Sequence, residues 1–211
     1  MRIIIGCEES QEVCMAFRER GHEAYSCDIK PASGKYPEFH LQMDLFEAIN
    51  RGGYEMGIIF PPCTHLAVSG AAHFEKKRAD GRQQSGIDFF IKCANVPINK
   101  LSIENPIGIM SSIYRQPDQI INPFYFGDPV KKPTCLWLKN LPLLFWQKED
   151  DLFGNKTAVV PELVTMTSAK TGRTRTYSKW EYEASCNQKE RATIRSKTFP
   201  GVAKAMAEQW G

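Results

Sequence analysis

Apolar positions along the chain change their spacing several times, and each change marks an element. Arg2 to Gly6, "RIIIG", is a β-branched run that predicts a buried strand. Ser10 to Arg20 follow as a predicted helix, with Val13, Cys14 and Phe17 on one face, Ser10 placed to cap it and Gly21 to stop it. "HEAYSCDIK" predicts a second strand ending at Asp28, before the turn-rich "PASGKYPEF". "FHLQMD" ends at Asp44 ahead of the short helical stretch "LFEAI", and "EMGIIF" predicts another strand. "RQQSGIDFFIKCANV" predicts a helix with Ile87, Phe90, Ile91 and Ala94 on one stripe. "KLSIEN" is a further strand ending at Glu104 and Asn105, "TCLWL" is one more, and "FPGVAKAMAEQW" closes as a helix with Val202, Met206 and Trp210 four apart. Strands alternating with helices predict an α/β fold with a mostly parallel sheet. Polar residues then fall at the C-terminal ends of successive strands, the edge where open α/β sheets bind ligands.

The 211 residues are enough for one domain with a real core. No apolar run reaches the roughly 18 residues of a membrane span, and "MRIIIGCEES" lacks the longer apolar stretch of a signal peptide. The expectation is a cytoplasmic protein without a membrane partner. Seven cysteines (Cys7, Cys14, Cys27, Cys63, Cys93, Cys135, Cys186) are scattered without a C-x-x-C pair, which favours free thiols. With Cys63-x-His65 as the nearest approach to a ligand pattern, no metal site is expected. Charge is uneven. Lys170 to Lys197 hold eight basic residues against three acidic ones, a local excess of five, so a chain of net +3 carries −2 elsewhere. A polyanion-facing surface is therefore expected near the C-terminus, with an ordinary solvated face as the alternative.

The stretch "GIIFPPCTHLAVSG" concentrates the chemistry. Its strand ends at Pro61 and Pro62, and the stiffened backbone leaves Cys63 little freedom to retreat from the sheet edge. Glu104 in "SIENPIG" also ends a strand just before a proline. If the two strands are neighbours, thiol and carboxyl converge on one pocket. A thiolate adding to an electron-poor ring needs an acid to protonate the ring nitrogen that takes up charge, and a buried Glu104 with a raised pKa suits that role.

"PPC" after an apolar strand, followed by "EN" at the end of a later one, resembles the cytosine-C5 DNA methyltransferases, in a short, phage- or prophage-like form. The resemblance runs over roughly residues 1–140, with a weaker echo in 198–210. It implies a Rossmann-like fold dependent on S-adenosylmethionine, and methyl transfer to C5 of cytosine in DNA through a covalent cysteine adduct at C6. On that basis Cys63 is the nucleophile and Glu104 the acid engaging N3. Asp28 would meet the cofactor ribose, Asp44 would lie near its adenine, and Gly6 would cradle its methionine end. Pro61, Pro62 and Asn105 would shape the cysteine loop, Pro61 on the cofactor side and Pro62 and Asn105 on the substrate side. Lys131 and Lys132, or Arg173 and Arg175, stand in for the paired arginines that help hold cytosine in the family. The first loop reads "GCEES" where the family is glycine-rich. The expected organisation is a core over 1–140, a small basic insertion over 141–197 as a substrate-recognition region, and a closing helix over 198–211 packed back on the core.

Three alternatives stay open. Amino-methyltransferases also carry paired prolines here, but with a polar residue before and an aromatic after; this chain has Phe60 and Cys63 instead. A catalytically degenerate nucleic-acid-binding protein is the second. The third is methylation of RNA or of a free cytidine nucleotide. In DNA the target cytosine must be flipped or single-stranded for a thiol to reach C6.

Overall fold

The computed structural model describes residues 1–148, 157–167, 171–186 and 198–211. Seven strands form one sheet: β1 (Arg2–Gly6), β2 (Glu23–Asp28), β3 (His40–Gln42), β4 (Met56–Ile59), β5 (Lys100–Pro106), β6 (Gln119–Ile121) and β7 (Thr134–Lys139). Their spatial order is β3-β2-β1-β4-β5-β7-β6. The pairs from β3 to β5 are parallel, and β7 runs antiparallel between β5 and β6. This is a mostly parallel, Rossmann-like α/β sheet, as the alternation of elements predicts. Its order reverses between β1 and β4, which opens a crevice beyond their C-terminal ends.

Helices cover both faces. On one lie α1 (Glu12–Glu19) and the closing helix Pro200–Trp210, whose Val13, Cys14, Phe17, Val202, Met206 and Trp210 pack on Ile3, Ile5 and Ile58. On the other lie α2 (Leu45–Asn50), α3 (Phe74–Ala79), α4 (Arg82–Ala94) and α5 (Met110–Ile113). There Leu45, Phe90, Cys93 and Met110 pack on Ile4, Ile59 and Ile103. Consecutive isoleucines of β1 thus enter opposite cores, as the two-residue period of a strand requires. Val202, Met206 and Trp210 are buried as expected, and the Trp210 indole donates to the Pro142 carbonyl at 3.0 Å. On α4 the buried set turns slightly from the expected stripe. Gln83, Phe90 and Cys93 are buried, while Ile87, Ile91 and Ala94 are half-buried.

Ser10 does not cap α1. The helix starts at Glu12 with Gln11 at the cap in a left-handed conformation and no side-chain cap there. The carboxylate of Glu8, 4% exposed, takes over, accepting from the Val13 amide at 2.7 Å and the Cys14 amide at 3.2 Å. A two-stranded ribbon, β8 (Leu163–Thr167) and β9 (Thr174–Ser178), leads into α6 (Lys179–Cys186) before the closing helix, α7 (Pro200–Trp210). The sequence pattern had not marked the ribbon. Of the basic segment, Lys170, Lys189, Arg191, Arg195 and Lys197 lie outside the described residues.

Candidate active site

The two motif strands are neighbours. β4 and β5 pair in parallel with Ile59 level with Ile103, so the chain leaves both strands at the same edge. Beyond them, the two loops are bound to each other. Asn105, 1% exposed, donates its side-chain amide to the Pro61 carbonyl at 2.7 Å. The Val68 amide donates to the Ile107 carbonyl and the Ile109 amide to the Leu66 carbonyl, both at 3.0 Å, around a bridge between Ala67 and Gly108. Gly108 is required by that approach, since a Cβ there would collide with the Leu66 carbonyl oxygen.

Cys63 is half-buried at the start of a single turn, its carbonyl accepting from the Leu66 and Ala67 amides, each at 3.0 Å. Two buried polar side chains support the turn from below: Lys77 donates to the Thr64 carbonyl at 2.6 Å and Gln83 to the His65 carbonyl at 3.3 Å. Pro61 is buried and Pro62 exposed. The thiol loop is therefore held at Pro61, Thr64, His65 and Leu66 by β5, α3, α4 and the segment that follows β5. Sequence alone gave no signal for Lys77, which lies in a polar run, or for Gln83.

Glu104 stands opposite Leu136 of the antiparallel strand β7. Burial pushes its carboxyl above the ordinary carboxylate range, while the Lys132 ammonium and a hydrogen bond with Thr134 pull it back. Lys132 is thus brought to the acid, while Lys131 is exposed beside it in the chain. Around Lys132 are two rings not foreseen from sequence, Trp180 of α6 and Phe199 just before α7. The Lys132 Nζ lies 5.6 Å from each ring centroid. Arg173 and Arg175 are exposed on and beside β9, in a ribbon tied to the core by the Glu162 amide donating to the Pro129 carbonyl at 2.8 Å.

The crevice at β1 and β2 collects the other predicted residues. Gly6 ends β1 facing α2, where a Cβ would sit 2.7 Å from a methyl of Leu45. Cys7 follows in a left-handed conformation, φ 59°, so a non-glycine residue makes the turn. Asp28 ends β2 half-buried, one carboxylate oxygen accepting from the Lys30 amide at 2.9 Å, with Ile29 beside it 76% exposed. Asp44 caps α2, one oxygen accepting from the Phe46 and Glu47 amides at 2.9 and 3.0 Å. Burial raises the Glu8 carboxyl to about 8, against two amide hydrogen bonds that favour its charge. An acid at this helix start occupies the place where a dinucleotide fold seats its pyrophosphate. With Glu8 bonded to them, the Val13 and Cys14 amides are not left for a phosphate.

Among the described residues no group of three or more His, Cys, Asp and Glu side chains could hold a metal ion. Among them, too, no helix is long and apolar enough to cross a membrane. A cavity of about 390 Å³ lined by Leu101, Ile103, Tyr114 and Trp137 lies on the α4 face, away from Glu104.

No family model matches the chain, and no curated protein matches it. Among solved structures it is similar to a prophage-encoded E. coli protein provisionally described as a DNA modification methyltransferase. The two are 16% identical with a TM-score of 0.45, over 77% of this chain and 53% of that one. The chain thus spans about half the length of that structure.

Proposed function

We propose that the protein transfers a methyl group from S-adenosylmethionine to C5 of cytosine in DNA through a transient bond between Cys63 Sγ and C6. The observation that carries this reading is the Asn105–Pro61 hydrogen bond, which locks the thiol loop to the strand bearing Glu104. It supports reading nucleophile and acid as one constellation rather than two separate motifs.

The cofactor would lie over the β1–β2 edge, with Asp28 on its ribose, Ile29 and Asp44 at its adenine end, and Gly6 and Pro61 along its length. Glu8, already bonded to the Val13 and Cys14 amides that a phosphate would need, fits a ligand of that kind. When bound, S-adenosylmethionine supplies an electrophilic methyl group on a sulfonium. The residues of the chain do the rest. Cys63 loses its proton to solvent and its sulfur forms a bond to C6. The displaced electron pair moves through the ring to N3, where Glu104 delivers its proton, and C5 becomes nucleophilic enough to take the methyl, whose bond to the sulfonium would break with the pair left on that sulfur. Loss of the C5 proton to solvent then returns the sulfur's pair to Cys63 and the N3 proton to Glu104. Lys132 and Asn105 border the base, Pro62 its loop, and Lys131, Arg173 and Arg175 the phosphates of a flipped or unpaired strand.

Incubation with S-adenosylmethionine and DNA carrying 5-fluorocytosine tests this, because fluorine at C5 cannot leave as a proton and traps the adduct. A covalent complex is expected for the wild type and none for Cys63→Ser. No complex with duplex or single-stranded DNA, RNA or nucleotide would overturn the reading.

A further inference from the structure

α6 sets a ring against Phe199 beside the acid, a pair that nothing in the methyl-transfer reading uses. Trp180, the second residue of α6, meets Phe199 edge to face, centroids 5.2 Å apart at 65°. Phe199 packs against the core, but Trp180 belongs to neither core cluster and is half-buried. The indole N–H groups of Trp137 and Trp210 donate to the carbonyls of Arg115 and Pro142, at 2.8 and 3.0 Å. That of Trp180 makes no hydrogen bond among the described residues.

The rings have a definite place. Lys132 Nζ, 5.6 Å from both centroids, is also the cation that acts on Glu104. The rings and the carboxyl thus share Lys132 as the cation that acts on both. Strand alternation agrees: Thr134 and Leu136 point to one face of β7, and Glu104, level with Leu136 and bonded to Thr134, shares it. α7 covers this same face. The ribbon root is fixed here too, for Lys179 pairs with Glu162 at 2.9 Å and Ser178 is buried.

A half-buried indole with a free N–H, a second ring set against it, and an acid on the same face of the sheet is a surface for a flat heterocycle with polar edges. Extruded bases are held in this way, stacked on aromatic side chains and read along their edges. We propose that Trp180 and Phe199 form the stacking wall of the pyrimidine pocket, so that the insertion completes the site whose acid is Glu104. This rests on the function proposed above. Trp180 is a base-binding residue, outside the bond-making steps, and its loss acts on substrate affinity more than on the chemical rate.

The test measures adduct formation against the concentration of a short single-stranded oligonucleotide with one 5-fluorocytosine, in the full-length protein. Trp180→Ala is expected to raise the half-saturating concentration about tenfold, with the saturated rate within about threefold of wild type. Trp180→Phe, which keeps a ring, stays within about threefold on both, and S-adenosylhomocysteine affinity is unchanged in both. Should Trp180→Ala lose its cooperative thermal transition, Trp180→Leu, with apolar bulk but no ring, makes the same comparison. Wild-type half-saturation in the ringless variant would overturn the wall and leave the methyl-transfer reading standing. If the wild type forms no adduct at all, that reading fails, and deoxycytidine monophosphate added to the protein still decides the wall. Quenching of tryptophan fluorescence in the wild type that is lost in Trp180→Phe supports it, and equal response of the two overturns it.

Discussion

Replacing Asn105 separates the two roles of the bond that joins the motifs. The side chain is 1% exposed, its amide donates to Pro61 at 2.7 Å, and its own carbonyl oxygen is buried without a partner. Asn105→Ala leaves the Pro61 carbonyl unsatisfied, which costs about 1–3 kcal/mol, but it also removes a buried acceptor that had no donor. These act in opposite directions, so the net loss of stability should be about 1 kcal/mol, readable by urea unfolding. The effect on chemistry should be larger. The loop that carries Cys63 loses its tie to β5, and a displacement of about 1 Å at a reacting atom is worth about 100-fold in rate. Adduct formation at saturating DNA should therefore fall about 10- to 100-fold with S-adenosylhomocysteine affinity retained. Asn105→Asp sharpens the test, because its ionised carboxylate faces a carbonyl. Burial and that repulsion raise the pKa of this group in the folded state, so its stability is highest at low pH and is lost as pH rises through the raised value. The expected loss of stability in Asn105→Ala with an unchanged adduct rate would refute the claim that this bond aims the thiol. An Asp variant with the pH trend of the wild type would refute the assigned donor direction.

Other outcomes follow from the same geometry. Glu104→Gln keeps the shape but cannot deliver a proton, and should slow turnover by about 100- to 10,000-fold while base binding persists, measured by transfer of labelled methyl. Glu8 is buried with its carboxyl raised from 4.5 to about 8, so its contribution to stability is full below pH 4.5 and is lost as pH rises through about 8, up to roughly 5 kcal/mol in all. Glu8→Gln should flatten that decline and unfold at higher denaturant than the wild type at pH 8; a parallel pH profile for both proteins would count against the assignment. Replacing Arg173 and Arg175 together should weaken DNA binding and reduce the slope of log affinity against log salt by about 2, and an unchanged slope would return them to a solvated surface.

Local chemistry wrote much of this protein into its sequence. β-branched runs broken by Gly or Pro fix where β1, β4 and β5 stop, and a strand's end places Asp28 and Glu104, and Cys63 just beyond one, at the sheet edge whatever the remaining fold. The i, i+4 spacing of Val202, Met206 and Trp210 likewise carries the buried face of α7. Capping was less legible, because Ser10 and Glu8 compete for the same amides. Only the folded backbone brings the longer carboxylate of Glu8 under Val13 and Cys14. The ribbon escaped the pattern because most of its residues are exposed on both faces, leaving no apolar alternation to detect. Tertiary structure alone decided that β4 and β5 are neighbours, that the chain turns back into β7 and brings Lys132 and Thr134 to act on Glu104, and that Trp180 comes to Phe199 from α6. The reason is physical. A strand's end depends on its own residues, whereas a buried donor, a raised carboxyl or a ring pair exists only when segments far apart in the chain exclude water together.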